Sequence, residues 1–328
     1  MQNKNVKIAV DIFGGDFAPD VCVEGVYKAI KEDENLEVLA VGKKDVVLPM
    51  KERSERITPI FASQVISMGE HPADAVRKKK DASIVTCAKL VQEGRAEGFF
   101  SAGSTGACLA AAILFTGRIK GVKRPAIGAL LPGYNKPCLL IDVGANADCK
   151  PEMLVQFAKI GSIYMRQMLN IESPKVGLLN IGEEETKGND ISIKSHSLLK
   201  ESVDTFAGNC EGRDLLCGDF DVVVCDGFSG NVALKTIEGT GKMMFWLLKD
   251  AFMGGTKEKI AALLLKDKLK ELKKKTDSEE QGGSPLLGVK GAVVIGHGSS
   301  GVKGIKNGIL EAAKTARADL VSSIEDVI

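Results

Sequence analysis

Six times along the chain a short apolar, β-branched run gives way to glycine with small polar residues and then to a stretch of helical periodicity. Three of these junctions are Val6–Asp11 into Gly14-Gly15-Asp16, Gly98–Ser101 into Gly103-Ser104-Thr105-Gly106, and Leu139–Val143 into Gly144-Ala145-Asn146. The others are Val176–Ile181 into Gly182-Glu183, Asp221–Asp226 into Gly227-Phe228-Ser229-Gly230-Asn231, and Ala292–Ile295 into Gly296-His297-Gly298. Continuous apolar strands alternating with helices predict a mostly parallel sheet covered on both faces. Further strands are expected at Leu36–Val41, Ile57–Phe61 and Ala126–Leu131. Pro19 and Pro151 fit a first helical turn, where the missing N–H costs nothing. The junctions are unevenly spaced, as in one wound sheet rather than a repeat array. The expectation is a single α/β domain over residues 1–328.

The stretch 239–282 breaks this rhythm. Met243 to Leu248 is apolar all round, and Thr256 to Lys275 reads as a helix carrying eight lysines against three acids. Ala261, Ala262, Leu265, Leu269 and Leu272 share one helical face, and Ile260, Leu263 and Leu264 lie on another. A helix with two apolar faces has two things to touch, so the segment is expected to be an inserted amphipathic arm.

Composition narrows the function classes. Lys and Arg total 44 against 43 acids, so no global field favours nucleic acid. The eight cysteines sit mostly in apolar runs without any C-x-x-C pair, the usage of reduced, buried thiols in a cytosolic protein. Neither a signal peptide nor an apolar run of about 20 residues is apparent, and a cytoplasmic location is expected. The 36 glycines in 328 residues are about half again the usual share of about 7%.

Those glycines matter because strand-to-helix loops of a parallel sheet emerge at its carboxyl edge, where helix N-termini and bare backbone N–H groups bind anions. Six such loops are expected to surround one crevice. Gly296-His297-Gly298-Ser299-Ser300-Gly301 also fits a dinucleotide fingerprint, but that site needs a further strand carrying an acid about 20 residues on. Gly304 to Ile328 reads instead as one helix. His71, His196 and His297 are not spaced as metal ligands, and neither a G-x-S-x-G elbow nor a P-loop occurs. The pattern implies chemistry without a covalent enzyme intermediate, a metal or a redox cofactor. Magnesium is compatible with it but not indicated.

Several of these strings, in order, resemble signature segments of the bacterial phosphate acyltransferase (PlsX) family. They are Val10 to Pro19, Ser101 to Ala107, Ile141 to Asn146, Gly177 to Glu185 with Lys187-Gly188, Gly208-Asn209 with Glu211-Gly212, Cys225 to Asn231, and Pro285 to Gly288. The likeness spans essentially the whole chain. Phe13 stands where the family usually has Met, Ser104 where Asn is common and Ser284 where Ala is common. The resemblance implies a Rossmann-like three-layer fold similar to phosphotransacetylases and isopropylmalate dehydrogenases. It also implies a homodimer that moves a long acyl chain from acyl carrier protein to inorganic phosphate, giving acyl phosphate for phospholipid synthesis. Peripheral contact with an anionic membrane, and with a membrane acyltransferase acting downstream, would follow. A nicotinamide dehydrogenase and a non-catalytic carrier-binding scaffold are the competing classes.

Phosphate is already a nucleophile, so an enzyme of this kind needs to hold it beside a thioester carbonyl and stabilise the oxyanion. Gly103, Ser104, Thr105 and Gly106 are expected to cradle phosphate, with Gly14, Gly15, Gly144, Gly182, Gly227, Ser229, Gly230 and Gly298 completing the anion-binding loops. Asn146, Asn180 and Asn231 are expected to donate to substrate or oxyanion. Asp16, Asp142 and Asp226 would orient donors or handle the thiol proton, unless Asp142 and Asp226 simply cap the next helix. Lys187 and His297 are the candidate charged helpers.

Overall fold

The computed structural model describes residues 4–276 and 278–328; Asp277, inside the expected arm, lies outside them. The chain opens with β1 (Val6–Asp11), α1 (Asp20–Glu32), β2 (Leu36–Gly42), α2 (Lys44–Arg53), β3 (Ile57–Phe61), α3 (Pro72–Lys78), α4 (Ser83–Gln92), β4 (Gly98–Ser101) and α5 (Thr105–Ala111), which runs on as a π-turn over Ala112–Thr116. The middle comprises β5 (Ala126–Leu131), β6 (Cys138–Ile141), α6 (Pro151–Leu169), β7 (Val176–Asn180), α7 (Asp190–Ser202), β8 (Phe206–Glu211) and β9 (Val222–Val224). It closes with α8 (Gly227–Met253), α9 (Thr256–Leu264), α10 (Lys266–Thr276), α11 (Ser278–Gln281), β10 (Ser284–Leu287), β11 (Ala292–Ile295), α12 (Val302–Arg317) and α13 (Leu320–Glu325).

All eleven strands form one sheet in the order β3-β2-β1-β4-β11-β10-β5-β6-β9-β7-β8. The first five of these run parallel to one another, and so do the last four. Between them lie three successive antiparallel pairings, β11 with β10, β10 with β5 and β5 with β6. The second block therefore points against the first. The sheet is mostly parallel, as expected, but it has no single carboxyl edge, and the expectation of six loops around one crevice is corrected to two groups of three.

Side chains alternate between faces with period 2. On one face Ala9, Phe99, Val293, Ile127, Leu140 and Val223 form a core continuous across both blocks. The other face carries two separate cores. Ile8, Val10, Phe100 and Val294 pack with α1 and α12, while Leu139, Ile141, Val222 and Val224 pack with α6 and α13. Where these two meet, the Tyr164 hydroxyl of α6 donates to Glu311 Oε1 of α12 at 3.0 Å. Burial pushes the Glu311 carboxyl up, against a smaller opposing pull from Lys314. A raised acid contributes stability below its ordinary value of 4.5 and loses it as pH climbs through the folded value. Glu311→Gln, which keeps an acceptor and drops the charge, is expected to show a higher urea midpoint than wild type at pH 8. The gap should close toward pH 4; an equal gap at both values would refute the assignment.

Several local expectations are revised. β8 and β10 were not anticipated: β8 is an edge strand holding Gly208 and Asn209, and β10 contains Pro285. That proline pairs with Val294 of β11, whereas pairing to β5 begins only at Leu286, so the ladder tolerates the lost N–H. Pro19 occupies the N-cap of α1 rather than its first turn, whereas Pro151 opens α6 as expected. Residues 304–328 make two helices, divided where Asp319 adopts a left-handed φ of 47°. The lysine-rich stretch likewise divides after Leu264, although no Gly or Pro there announces it.

Candidate functional site

The loops after β1, β4 and β11, which are neighbours in the sheet, form one group. The Asp16 N–H donates to the Gly298 carbonyl at 2.8 Å. Gly15, at φ 110°, lies against Ala102 and Gly298, a conformation and a closeness that suit glycine. Ser104 is the N-cap of α5, yet no side chain caps that helix. Its leading N–H groups, on Thr105, Gly106 and Ala107, are the donors a helix leaves unpaired, at the positive end of its dipole. Gly103 differs: its N–H donates to Ser101 Oγ at 3.0 Å and faces inward, so the expected four-residue cradle shrinks to Ser104, Thr105 and Gly106, extended by Ala107.

His297 and Asp16 flank this opening, both exposed. The Ser299 N–H donates to His297 Nδ1 at 3.2 Å, with the Ser299 hydroxyl 2.8 Å from the same nitrogen. A nitrogen accepting an N–H carries no hydrogen in the neutral ring, so Nε2 is the donor. A wall that sequence reasoning missed comes from the segment before α3. Met68 lies against Gly298, and the Pro72 ring against Gly106. Lys79 ties this segment down, donating to the Val65 carbonyl at 2.8 Å and to Glu70 at 2.7 Å, which holds the Glu70 carboxyl below its ordinary range. The available signal was Pro72 after His71, opening a short helix whose last residues run into the basic string Arg77-Lys78-Lys79-Lys80.

The loops after β6, β9 and β7 form the second group, and here backbone donors are largely consumed. Asp142, fully buried, accepts at Oδ1 from the N–H groups of Ile127, Gly144 and Ala145 and at Oδ2 from Asn146 N and Nδ2, all within 2.7–3.1 Å. Asn146 spends its second amide hydrogen on the Pro125 carbonyl at 2.8 Å, which corrects the expectation that it donates to substrate. Asp226 caps α8 through Ser229 N and Oγ, and Gly227 N–H donates to the Asn146 carbonyl at 2.7 Å. Of the two alternatives weighed, Asp226 takes the capping role at α8, whereas Asp142 caps no helix: it braces the loop after β6, and α6 begins only at Pro151 with Lys150 as its N-cap. Gly230 is the first-turn residue pressed on the Asp142 carbonyl, and Gly144 approaches exposed Asn231.

Asn180 donates to the Lys187 carbonyl at 3.0 Å, and the Lys187 stem lies on Gly182. A hollow of about 350 Å³ opens beside them, polar at Asn180, Asn189, Ser192, Asp226 and Ser229 and apolar at Leu154, Leu178, Leu179, Ile181 and Ile191. A larger hollow of about 660 Å³, lysine-rich, lies among α1, α10 and α12 and holds none of the expected site residues. Burial pushes the thiols of Cys108, Cys138 and Cys149 up to about 12, leaving no thiolate nucleophile among these three.

Comparison with known proteins adds the lineage. The family model described as "Fatty acid synthesis protein" matches residues 6–323. A phosphate acyltransferase of Clostridium botulinum (strain Loch Maree / Type A3) is 46% identical over 323 residues, covering 97% of this chain and 96% of the relative. One from Dictyoglomus turgidum is 46% identical over 325 residues, with the same coverage. Among solved structures, a phosphotransacetylase from Streptococcus pyogenes superposes with a TM-score of 0.64 at 15% identity, covering 96% and 95% of the two chains. A branched-chain phosphotransacylase from Enterococcus faecalis gives 0.60 at 17% identity, covering 94% and 99%. The two structures share the fold described above, and the two sequences match from end to end: this chain belongs to the phosphate acyltransferase (PlsX) family.

Proposed function

We propose that this chain transfers a long acyl group from the thioester of acyl carrier protein to inorganic phosphate, releasing acyl phosphate for phospholipid synthesis. The observation that carries this reading is the uncapped N-terminus of α5 between the β1 and β11 loops. Side-chain caps are spent on α7 (Asn189) and α8 (Asp226), whereas α5 shares its uncapped start with α1 and differs from it in opening on Gly103-Ser104-Thr105-Gly106. An anion seated at Ser104, Thr105, Gly106 and Ala107 gains those unpaired donors. A phosphate oxygen attacks the thioester carbon, the oxyanion forms, the C–S bond breaks, and the thiolate takes a proton. Hydrogen phosphate loses its own proton on acylation, which balances the thiolate; His297 Nε2–H is the proposed hydrogen-bond donor to the departing sulfur, with Asp16 beside it to relay that proton. The half-apolar hollow near Asn180, Lys187 and Asn231 is the proposed seat for part of the acyl donor.

Phosphate-dependent release of carrier thiol from an acyl carrier substrate tests the reaction. Release that needs no phosphate, or a nicotinamide-dependent absorbance change instead, would overturn it. Running acyl coenzyme A alongside decides the donor.

We also assign α8 to α10 to contacts outside the chain, with a second copy and with anionic lipid. Met243, Met244, Trp246 and Leu247 of α8 and Ile260, Leu263 and Leu264 of α9 are exposed, beside lysine-rich α10. No helix among the described residues is long and apolar enough to cross a membrane, so contact would be interfacial. Trp246→Glu with Leu247→Glu is expected to abolish co-sedimentation with anionic vesicles while thiol release in solution persists. Unchanged co-sedimentation would remove the lipid role from this segment.

A further inference from the structure

We propose that Asp11 is a positioning residue for the phosphate seat, acting through the Ser101 hydroxyl to set the loop that leads into α5. The inference rests on reading the α5 N-terminus as that seat. Asp11 ends β1 and Ser101 ends β4, the neighbouring strand; both are buried. Asp11 Oδ1 accepts the Phe13 N–H at 3.1 Å, and Oδ2 accepts the Ser101 hydroxyl at 2.8 Å. Ser101 Oγ in turn accepts the Gly103 N–H at 3.0 Å. Ser83, at the start of α4, faces the same carboxylate and favours its ionised form. One side chain thus ties together the loops after β1 and β4.

The direction of the chain follows from the chemistry of its last member. Burial pushes the Asp11 carboxyl up, with Ser83 and Ser101 pulling the other way; in its ionised form it only accepts, which makes the Ser101 hydroxyl its donor and leaves the Ser101 lone pairs for Gly103 N–H. With the Gly103 peptide turned inward, the next N–H groups, from Ser104 onward, are left to face the opening. No play remains in the arrangement. A methyl on Gly14 would lie 2.7 Å from Ser101 Oγ, 2.8 Å from Gly103 N and 2.9 Å from Asp11 Oδ2, so Gly14 seals the node from above. The Cys22 thiol donates to the Gly14 carbonyl at 3.3 Å and holds that seal. Asp142 organises its own loop directly, whereas Asp11 reaches the neighbouring strand's loop through one intervening hydroxyl.

A seat displaced by about 1 Å loses roughly a hundredfold in rate where geometry carries catalysis, and a rotated peptide plane displaces it by a fraction of that. Ser101→Ala removes one hydroxyl and keeps the fold's packing; Asp11→Asn makes the acceptor amphoteric. Each is expected to raise the KM for inorganic phosphate about tenfold while leaving the KM for the acyl donor within twofold. The double variant should be no worse than the poorer single one, because both act through one bond chain. Phosphate KM unchanged in Ser101→Ala, both KM values moving together, or additive effects would each overturn the assignment. If Asp11→Asn does not fold, Ser101→Ala alone decides. Calorimetric titration with inorganic phosphate separates the two layers: no binding to wild type refutes the seat, whereas equal binding to wild type and Ser101→Ala refutes only the relay.

Discussion

Replacing Asp142 with alanine is expected to destabilise the protein by about 4 kcal/mol, a shift of the urea midpoint large enough to leave little folded protein at moderate denaturant. Five N–H bonds from Ile127, Gly144, Ala145 and Asn146 converge on this one carboxylate. Each bond to a charged acceptor is worth about 1.5–3 kcal/mol, and relaxation of the loop after β6 returns part of the sum. Asp142→Asn keeps one acceptor oxygen and turns an amide toward the remaining donors, so about half the loss is expected. A deficit below about 1 kcal/mol for the alanine variant would mean that water replaces the carboxylate, and that the loop is not organised by it.

Thr105→Asp is expected to raise the phosphate KM at least tenfold while making the fold slightly more stable. Thr105 is exposed at the first position of α5. A carboxylate there occupies the donors proposed for phosphate and repels the incoming anion, yet it complements the helix dipole by about 0.5 kcal/mol. Weaker phosphate binding together with a gain in stability is informative, because damage to the fold would lower both affinity and stability. Thr105→Asn, an uncharged side chain of similar size, should raise KM far less. Equal KM values for wild type and Thr105→Asp at low salt, where the repulsion is strongest, would exclude the α5 N-terminus as the seat.

The strands most open to reading were those where apolar pattern alone decides. Val6–Asp11, Gly98–Ser101, Ala126–Leu131 and Ala292–Ile295 fall where the pattern put them. β10 escaped because a proline argues against a central strand, and only pairing reveals that β5 joins after it. Strand direction escaped altogether, since Leu139–Val143 looks the same pointing either way. That one unreadable property split the expected crevice. Within the site, sequence marked which loops were glycine-rich but not where their N–H groups were already spent. Gly103, Asn146 and Ser229 are donors by residue type and internal struts by geometry. Asp11 was overlooked as an ordinary end to an apolar strand, because a role exercised through Ser101, 90 residues away, leaves no local mark.

The sheet order also bears on how the chain is made. β11 completes the first block between β4 and β10, and α12 covers α1, with Ile305 seated on Gly25. Both come from the end of the chain, roughly 190 residues after β4. At about 5–20 residues per second a ribosome needs roughly 10–40 s to cover that interval. Throughout it the nascent amino-terminal block shows β4 as a bare edge and Ile8, Val10 and Phe100 without their lid, a surface open to chaperones and to mispairing until β11 and α12 emerge.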